Sequence, residues 1–160
     1  MLIKPAASED HEAIWLILEP AIRAGEVFAL PRDMRKDEAI AYWLGPDRLT
    51  FFAEQDGQIV GTYFLRANQA GGGSHVANCG YATADYFRGR GVARGMCEHS
   101  LRHARELGFK AMQFNFVIST NERAVQLWQS LGFEIVGRLP QAFLHPRHGY
   151  TDAFVMFRAL

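Results

Sequence analysis

The sequence predicts one mixed α/β (α+β) domain built around a sheet whose strands run in both directions. Its length of 160 residues is typical of a single domain, so residues 1–160 are expected to form one unit. Stretches with strand-type alternation and stretches with helical periodicity follow each other along the chain. A hairpin signal comes early and a strand–helix–strand–helix–strand order comes late, which together favour a sheet of mixed direction.

The N-terminal part begins with an edge strand and two helices. The strand is Leu2–Pro5. Ser8 then opens a capping pattern, SEDHE, with acidic residues in the first turn of a largely apolar helix. A second helix is expected over residues 35–44, where Gly45 and Pro46 end it.

The next three segments predict strands. Leu49–Glu54 and Gln58–Arg66 are strand-like, and Asp56-Gly57 between them is a strong signal for a tight hairpin turn. His75–Thr83 follows a glycine-rich loop and is the third of these strands.

Helices and strands alternate in the second half. Val92–Leu107 has one apolar and one charged stripe, and Gly108 is expected to end this helix. Lys110–Ile118 is predicted as a strand and Asn121–Leu131 as a short helix, which Gly132 ends.

Two closing strands are predicted at Glu134–Leu139 and Tyr150–Arg158. The segment QAFLHPRHG, residues 141–149, is expected to loop between them. It either lines an acceptor pocket or is plain surface loop. In the first case the lining side chains would be Phe143, His145 and Arg147.

Composition limits the partners. Seventeen acidic residues balance seventeen Lys and Arg, which argues against a nucleic-acid binder. Charge comes too early in MLIKPAASED for a signal peptide, and no apolar run approaches the roughly 20 residues that a spanning helix needs. Cys79 and Cys97 have no CxxC spacing, so reduced thiols and a cytoplasmic protein without a membrane partner are expected. The oligomeric state stays open, a homodimer included.

The segment FRGRGVARG, residues 87–95, carries the clearest chemical signal. It connects a predicted strand to a helix, whose first N–H groups lack intrahelical partners and form an anion site with the helix dipole. The glycines allow positive φ and close backbone approach to a pyrophosphate, and Arg88, Arg90 and Arg94 add positive charge. GK[ST] is absent and the GxGxxG spacing is missed by one residue, so Walker and Rossmann loops are disfavoured. A glycine-rich connection with solvated arginines is the alternative.

These residues resemble a known family. RGRGVA, residues 88–93, resembles the R/Q-x-x-G-x-G/A signature of the GNAT superfamily of acyl-CoA-dependent N-acetyltransferases, and STNERAVQLWQSLGF at 119–133 resembles its next helix. The resemblance covers roughly residues 50–158. It implies a mostly antiparallel sheet with a splayed parallel central strand pair, flanked by helices. It also implies that acetyl-CoA binds at the loop.

The resemblance implies a set of coenzyme A contacts. The strand end before the motif would pair with the pantetheine arm, the loop would surround the pyrophosphate, and Asn121 would touch the pantetheine. The implied cofactor-binding residues are Tyr81, Ala82, Thr83, Arg88, Gly89, Arg90, Gly91, Val92, Ala93, Arg94 and Asn121. Asn121 could instead cap its helix with Ser119 and Thr120.

The expected acid–base pair of one GNAT class is missing. Members that acetylate ribosomal protein N-termini carry a glutamate and a tyrosine where this chain has Phe116 and Trp128. A closer resemblance, through SHVANCGY, FNFVISTN and YTDAFVMF, is to the branch that includes acetyltransferases of proline analogues such as azetidine-2-carboxylate. That branch implies Asn78 and Asn115 as candidate catalytic residues that hold the acceptor. Each amide could instead satisfy local backbone.

The implied activity is acetyl transfer to the amine of a small molecule, an amino acid or its analogue. The alternatives are a protein or peptide N-acetyltransferase and a non-catalytic acyl-CoA-binding module. No residue is a clear general base. The open candidates, beside a water chain, are His75, Tyr81, Asp85, Tyr150 and Asp152. His99 and His103 are one helical turn apart but lack a third ligand, so no metal site is predicted.

Overall fold

The protein, described over residues 1–160 by a computed structural model, forms a seven-stranded sheet between two helical layers. The strands are β1 (Leu2–Pro5), β2 (Leu49–Gln55), β3 (Gln58–Ala67), β4 (Val76–Thr83), β5 (Ala111–Ile118), β6 (Glu134–His145) and β7 (Gly149–Ala159). The helices are α1 (His11–Ala24), α2 (Lys36–Trp43), α3 (Val92–Glu106) and α4 (Glu122–Ser130). None of them is both long and apolar enough to span a membrane.

The strand order is β1-β2-β3-β4-β5-β7-β6. Every neighbouring pair is antiparallel except β4 and β5, which are parallel. The chain passes from β4 to β5 through α3, because two parallel strands need a crossover connection, which is usually a helix. The predicted sheet of mixed direction, mostly antiparallel with one central parallel pair, is therefore confirmed.

Side-chain alternation along β3 divides the core between the two faces of the sheet. Tyr63 and Leu65 pack toward α3 and α4, in the larger cluster. Phe64 points the other way and packs with Trp43 against α1 and α2. A buried hydrogen bond, 3.0 Å from Trp43 Nε1 to Thr62 Oγ1, anchors α2 to the sheet.

The turn predicted at Asp56-Gly57 is confirmed. Asp56 has φ 51° and Gly57 has φ 77°, and a two-residue hairpin turn with two positive φ values matches the twist of its strands. This turn fixes the register of β2 against β3, which places Arg66 and Phe64 on the same face.

The N-terminal cap of α1 differs from the prediction. Residues 8–10 form a 3-10 turn, and the helix begins at His11. Asp10 is at the N-cap position of α1 but makes no side-chain capping bond there; its carboxylate instead accepts the Ala7 N–H at 2.8 Å at the start of the 3-10 turn, and the Ser8 hydroxyl contacts only Glu9.

The prediction of a loop over 141–149 is wrong. β6 continues to His145, and only three residues turn into β7. Pro140 does not end the strand because β6 is at the edge of the sheet, where a missing N–H costs no ladder bond. A bulge between Leu139 and Phe143 absorbs the extra residues, and Asp152 accepts the Gln141 N–H there at 2.9 Å.

Candidate active site

The two parallel strands pair only at their beginnings. The register of β4 with β5 covers Val76↔Ala111 and Ala77↔Met112 and then stops. A bulge between Phe114 and Val117 bends β5 at this point, because two residues of β5, Asn115 and Phe116, lie opposite the single residue Val155 of β7. The strands therefore diverge and leave a gap in the middle of the sheet.

The β4 edge of this gap has unpaired backbone groups. The carbonyl of Val76 and the N–H of Ala84 both point toward β3, so the even-numbered residues of β4 face β3. The alternate residues Cys79, Tyr81 and Thr83 direct their N–H and C=O groups to the other side, where β5 no longer pairs. An extended ligand could pair with these groups as an added strand.

Asn78 spans the start of the gap. Its side-chain Nδ2 donates to the carbonyl of Gln113 on β5 at 2.9 Å, in the place of a missing strand-to-strand bond. Asn115 lies in the β5 bulge, where its Nδ2 donates to Asn68 Oδ1 at 2.6 Å and its Oδ1 accepts from Gln113 Nε2 at 2.9 Å. Both predicted asparagines are thus at the gap, and both make protein hydrogen bonds there.

The loop between β4 and α3 has a row of free amides. The N–H groups of Arg88 and Arg90 are bonded to the carbonyls of Asp85 and Phe87, at 3.2 and 3.3 Å. The first helical bond of α3 is from Gly95 to Gly91, at 3.0 Å. Five amides between these points have no acceptor in the protein: those of Gly89, Gly91, Val92, Ala93 and Arg94. With the helix dipole they form an anion site.

Two glycines shape this loop. Gly89 has φ +76° and Gly91 has φ +82°, a region that side-chain-bearing residues rarely adopt. A Cβ at either position would meet no protein atom within 4 Å, so it would occupy the open space in front of the amides. The glycines are required by the backbone and by the space they leave for a ligand.

A groove of about 780 Å³ connects the amides with the gap and with the α1–α2 face of the sheet. The predicted site residues that line it are Asn78, Tyr81, Ala82, Thr83, Arg88, Gly89, Gly91, Val92, Ala93, Arg94, Asn115 and Asn121. Arg90 is not among the lining residues, because its guanidinium lies over the Phe87 ring, 5.3 Å from the centroid. The structure therefore brings together all of these predicted residues but Arg90.

Comparison with known proteins identifies the family. The model of the acetyltransferase (GNAT) family matches residues 11–133, more than half of the chain. The chain belongs to the GNAT family of acetyltransferases.

Two curated GNAT relatives differ in how much of their length the chain spans. It is 31% identical over 111 residues to the N-acetyltransferase aca1 of Schizosaccharomyces pombe, with 69% of this chain but only 53% of that protein covered. It is also 31% identical to the L-amino acid N-acetyltransferase AaaT of Escherichia coli, with 99% of this chain and 97% of that protein covered.

Two solved GNAT structures have the same fold. A GCN5-related N-acetyltransferase from Kribbella flavida is 38% identical, with a TM-score of 0.94 and coverage of 99% of this chain and 97% of that one. A phosphinothricin acetyltransferase from Sinorhizobium meliloti, solved in complex with acetyl-CoA, is 18% identical. Its TM-score is 0.86, and the match covers 99% of this chain and 88% of that one.

The charged residues of the GNAT groove are all cationic. Arg88 and Arg94 belong to the amide segment and Arg123 to the first turn of α4, whereas Arg66 lies on the α1–α2 face. No aspartate, glutamate, histidine or lysine lines the groove. The charged side chains that line the groove therefore favour anions.

Two ionisable groups of the groove, Cys79 and Tyr81, stay neutral. Burial raises the pKa of the Cys79 thiol, which keeps it protonated. Burial also raises the pKa of Tyr81, whose hydroxyl points into the core and shares a 2.7 Å hydrogen bond with Ser100 Oγ. Neither group is placed to exchange a proton with a ligand in the gap.

The other candidate bases lie outside the groove. Asp85 pairs with Arg88 at 2.7 Å, Asp152 pairs with Arg138 at 2.9 Å, and neither lines the groove. His75 and Tyr150 are also not among the lining residues. Asp152 is committed to the β6–β7 bulge and is a structural residue.

The residues of the mispredicted segment 141–149 do not form an acceptor pocket. Phe143 and His145 are buried in the β6–β7 hairpin, and Arg147 pairs with Glu26 at 2.9 Å. None of the three lines the groove. Their place in the hairpin follows from the continuation of β6 through Pro140.

Two aromatic residues occupy the positions of the missing acid–base pair. Phe116 is partly exposed in the β5 bulge, and Trp128 is buried against Tyr81 and Phe114. Both line the groove. They form an apolar wall beside the gap and cannot transfer protons.

Sequence reasoning missed the arginine and the aromatic residues that line the groove on its α1–α2 side. Arg66, Phe28, Tyr42 and Phe64 line the groove, although they come from separate elements. The only signal was a charged residue at the end of the apolar strand β3. Which face it occupies depends on the β2–β3 register, and its neighbours depend on long-range packing.

Proposed function

We propose that the protein is an N-acetyltransferase that transfers an acetyl group from acetyl-CoA to the amine of a small molecule, an amino acid or its analogue. The observation that carries this proposal is the row of five unbonded amides that opens onto the gap between β4 and β5. Family membership and the acetyl-CoA complex of the Sinorhizobium protein support acetyl-CoA as the donor. The 31% identity to an L-amino acid N-acetyltransferase over almost the whole chain supports the acceptor class.

The residues fit coenzyme A in a defined order. The amides of Gly89 and of residues 91–94 would hold the pyrophosphate, with Arg88 and Arg94 adding charge. The free backbone groups of Tyr81 and Thr83 would pair with the amides of the pantetheine arm. Ala82 would only line the groove, because its own N–H and C=O face β3.

Asn121 is available for the pantetheine. It is the N-cap residue of α4 but makes no side-chain capping bond, so the alternative capping role has no support in the geometry. Its amide lines the groove and has no protein partner among the side-chain hydrogen bonds. A free amide at this position suits one of the carbonyl or N–H groups of the pantetheine arm.

When bound, acetyl-CoA supplies the thioester carbonyl that the amine attacks. The N–H groups that β4 directs into the gap are fixed donors for a carbonyl oxygen, of the kind that stabilises developing negative charge. Asn78 and Asn115, at the start of the gap, would orient the acceptor. Holding the two reactants together supplies a large part of the acceleration.

The proton of the amine leaves without a strong base in the groove. The attacking amine must be neutral, and no carboxylate or imidazole lines the site. A guanidinium beside the amine disfavours the ammonium form and lowers its pKa. Solvent can then accept the proton, and when the C–S bond of the thioester breaks, the departing coenzyme A thiolate can take up a proton from solvent.

The test is release of coenzyme A thiol, followed with a thiol reagent over a panel of free amino acids, simple amines and peptides. The proposal predicts turnover with free amino acids. Faster turnover of peptides would instead favour a protein or peptide N-acetyltransferase. Tight binding of acetyl-CoA without thiol release from any amine would favour a non-catalytic acyl-CoA-binding module.

A further inference from the structure

A cluster of two arginines and one aspartate lies on the α1–α2 side of the groove. Asp47 contacts Arg48 Nε at 3.3 Å through one carboxylate oxygen and Arg66 Nη1 at 3.5 Å through the other. The single carboxylate of Asp47 thus forms ion pairs with two guanidinium groups. The cluster carries a net positive charge at the acceptor end of the groove.

The positive charge of this cluster is incompletely neutralised. The side chain of Arg48 is only 9% exposed and lies between the rings of Tyr42 and Phe64, 4.3 and 4.5 Å from their centroids. Its Nη1 is buried without a hydrogen-bond partner. Asp47 is 59% exposed, so water weakens its attraction for both cations. A buried donor without a partner and a surplus charge both favour an additional anion nearby.

The ionisation of Asp47 reflects these neighbours. Desolvation raises its pKa, but the charges of Arg48 and Arg66 and the hydrogen bond from Arg48 together hold the pKa below the ordinary value of 3.8. Asp47 is therefore ionised at neutral pH and can cancel only one of the two arginine charges.

Arg66 is the member of the cluster that reaches the groove. It is the one lining arginine that β3 contributes, because Arg88 and Arg94 belong to the amide segment and Arg123 to α4. It is directly opposite Asn78 in the β3–β4 register, and its Nε is 3.4 Å from Asn78 Oδ1. Arg66 thus lies beside the residue that spans the start of the β4–β5 gap.

We propose that Arg66 binds the carboxylate of the acceptor and so selects amines that carry an acid group next to the amino group. This proposal rests on the proposed function and names its substrate class more narrowly. The guanidinium has five N–H donors, and its contacts with Asp47 and Asn78 use only two of its nitrogens. The remaining donors can hold a carboxylate while the adjacent amine is directed to the gap.

The walls of the groove restrict the rest of the acceptor. Phe28, Tyr42 and Phe64 give it an aromatic surface on this side. No carboxylate lines the groove, so a second positive charge on the acceptor would be unpaired among the arginines. We therefore expect neutral, apolar amino acids to react and polyamines or lysine to be poor acceptors.

The test compares an amino acid with its carboxamide, using thiol release by the wild-type protein and by Arg66→Gln. The wild type is expected to prefer the acid. Arg66→Gln should raise the KM for the acid about 10- to 100-fold, the effect of one charge-assisted hydrogen-bonding group. The KM for the carboxamide should change little. The KM for acetyl-CoA should not change, which also confirms that the variant is folded.

Two further variants sharpen this test. Arg66→Lys keeps the charge but loses the planar fork, so it should recover only part of the preference for the acid. Arg138→Gln removes an arginine that is outside the groove and 66% exposed, and should behave as the wild type toward both substrates.

The possible outcomes separate the two proposals. Equal thiol release with the acid and the carboxamide by the wild type would overturn the role of Arg66 and leave the proposed function intact. An equal rise in KM for both substrates in Arg66→Gln would do the same. Absence of thiol release with every amine would overturn the proposed function itself.

Discussion

Gly91 carries two requirements at once, a positive φ and empty space in front of free amides. Gly91→Ala is expected to lower the affinity for acetyl-CoA about tenfold or more, because the methyl group would displace the ligand from at least one charge-assisted hydrogen bond. Isothermal titration calorimetry measures this directly.

Gly108→Ala is the matched control for this variant. Gly108 has φ +88°, also has no atom within 4 Å of a built Cβ, and follows the other end of α3. Both substitutions should cost about 1–2 kcal/mol of unfolding free energy from backbone strain. Only Gly91→Ala should weaken binding, and an equal affinity in the two variants would contradict the assignment of the loop.

His145 makes the stability of the β6–β7 hairpin dependent on pH. Its Nδ1 accepts the N–H groups of Arg147 and His148, at 3.1 and 3.3 Å, and burial and the neighbouring His148 lower its pKa below 6.5. The unfolded chain therefore binds more protons than the folded one below about pH 6.5. The contribution of His145 to the unfolding free energy is fully present above that pH, and it should be lost as the pH drops through the lower folded pKa.

Urea titrations at about pH 7.5 and pH 5.5 measure this dependence. His145→Asn keeps an acceptor oxygen without a titrating group and should decrease the loss of stability at the lower pH. A residual loss is expected from His99, whose pKa burial also lowers. An unchanged pH dependence in the variant would mean that the hairpin does not sense the protonation of His145.

At the scale of elements, the gap between β4 and β5 needs both a bulge and a substitute for the lost pairing. Asn78→Ala leaves the Gln113 carbonyl without its donor and should lower the unfolding free energy by about 1–3 kcal/mol. Urea denaturation measures the loss. An unchanged midpoint would show that Asn78 does not join the two strands.

Asn121→Ala is the counterpart of this prediction. The Asn121 side chain makes no capping bond, so its removal should leave the unfolding free energy nearly unchanged. If its amide contacts the pantetheine, the affinity for acetyl-CoA should fall while stability remains. A loss of stability with unchanged affinity would assign Asn121 to helix capping instead.

The accuracy of the sequence predictions also varied by element. The hairpin at Asp56-Gly57 and the glycine loop were predictable because each depends on a few adjacent residues with special backbone conformations. The end of β6 was not, because tolerance of Pro140 depends on the edge position of the strand and on a side chain from β7. The hairpin and the glycine loop rest on adjacent residues, whereas the end of β6 rests on contacts between segments that are distant in the sequence.

At the scale of the whole molecule, the groove joins an anion site on one side of the sheet to a cationic, aromatic surface on the other. The amide end could be predicted from one segment of sequence. The acceptor end combines Arg66 and Asn78 with the aromatic residues Phe28, Tyr42 and Phe64, which come from a loop, from α2 and from β3 and are brought together only by the strand register and helix packing. No local pattern encodes that combination.

The central claim is that the free amides at the start of α3 bind the pyrophosphate of coenzyme A. An amide-resolved ¹H–¹⁵N NMR titration with coenzyme A tests it most directly. The account predicts the largest shifts at Gly89 and residues 91–94, with smaller shifts at Arg88 and Arg90, whose N–H groups are already bonded. Binding that leaves those five amide signals in place while other regions respond would contradict the account.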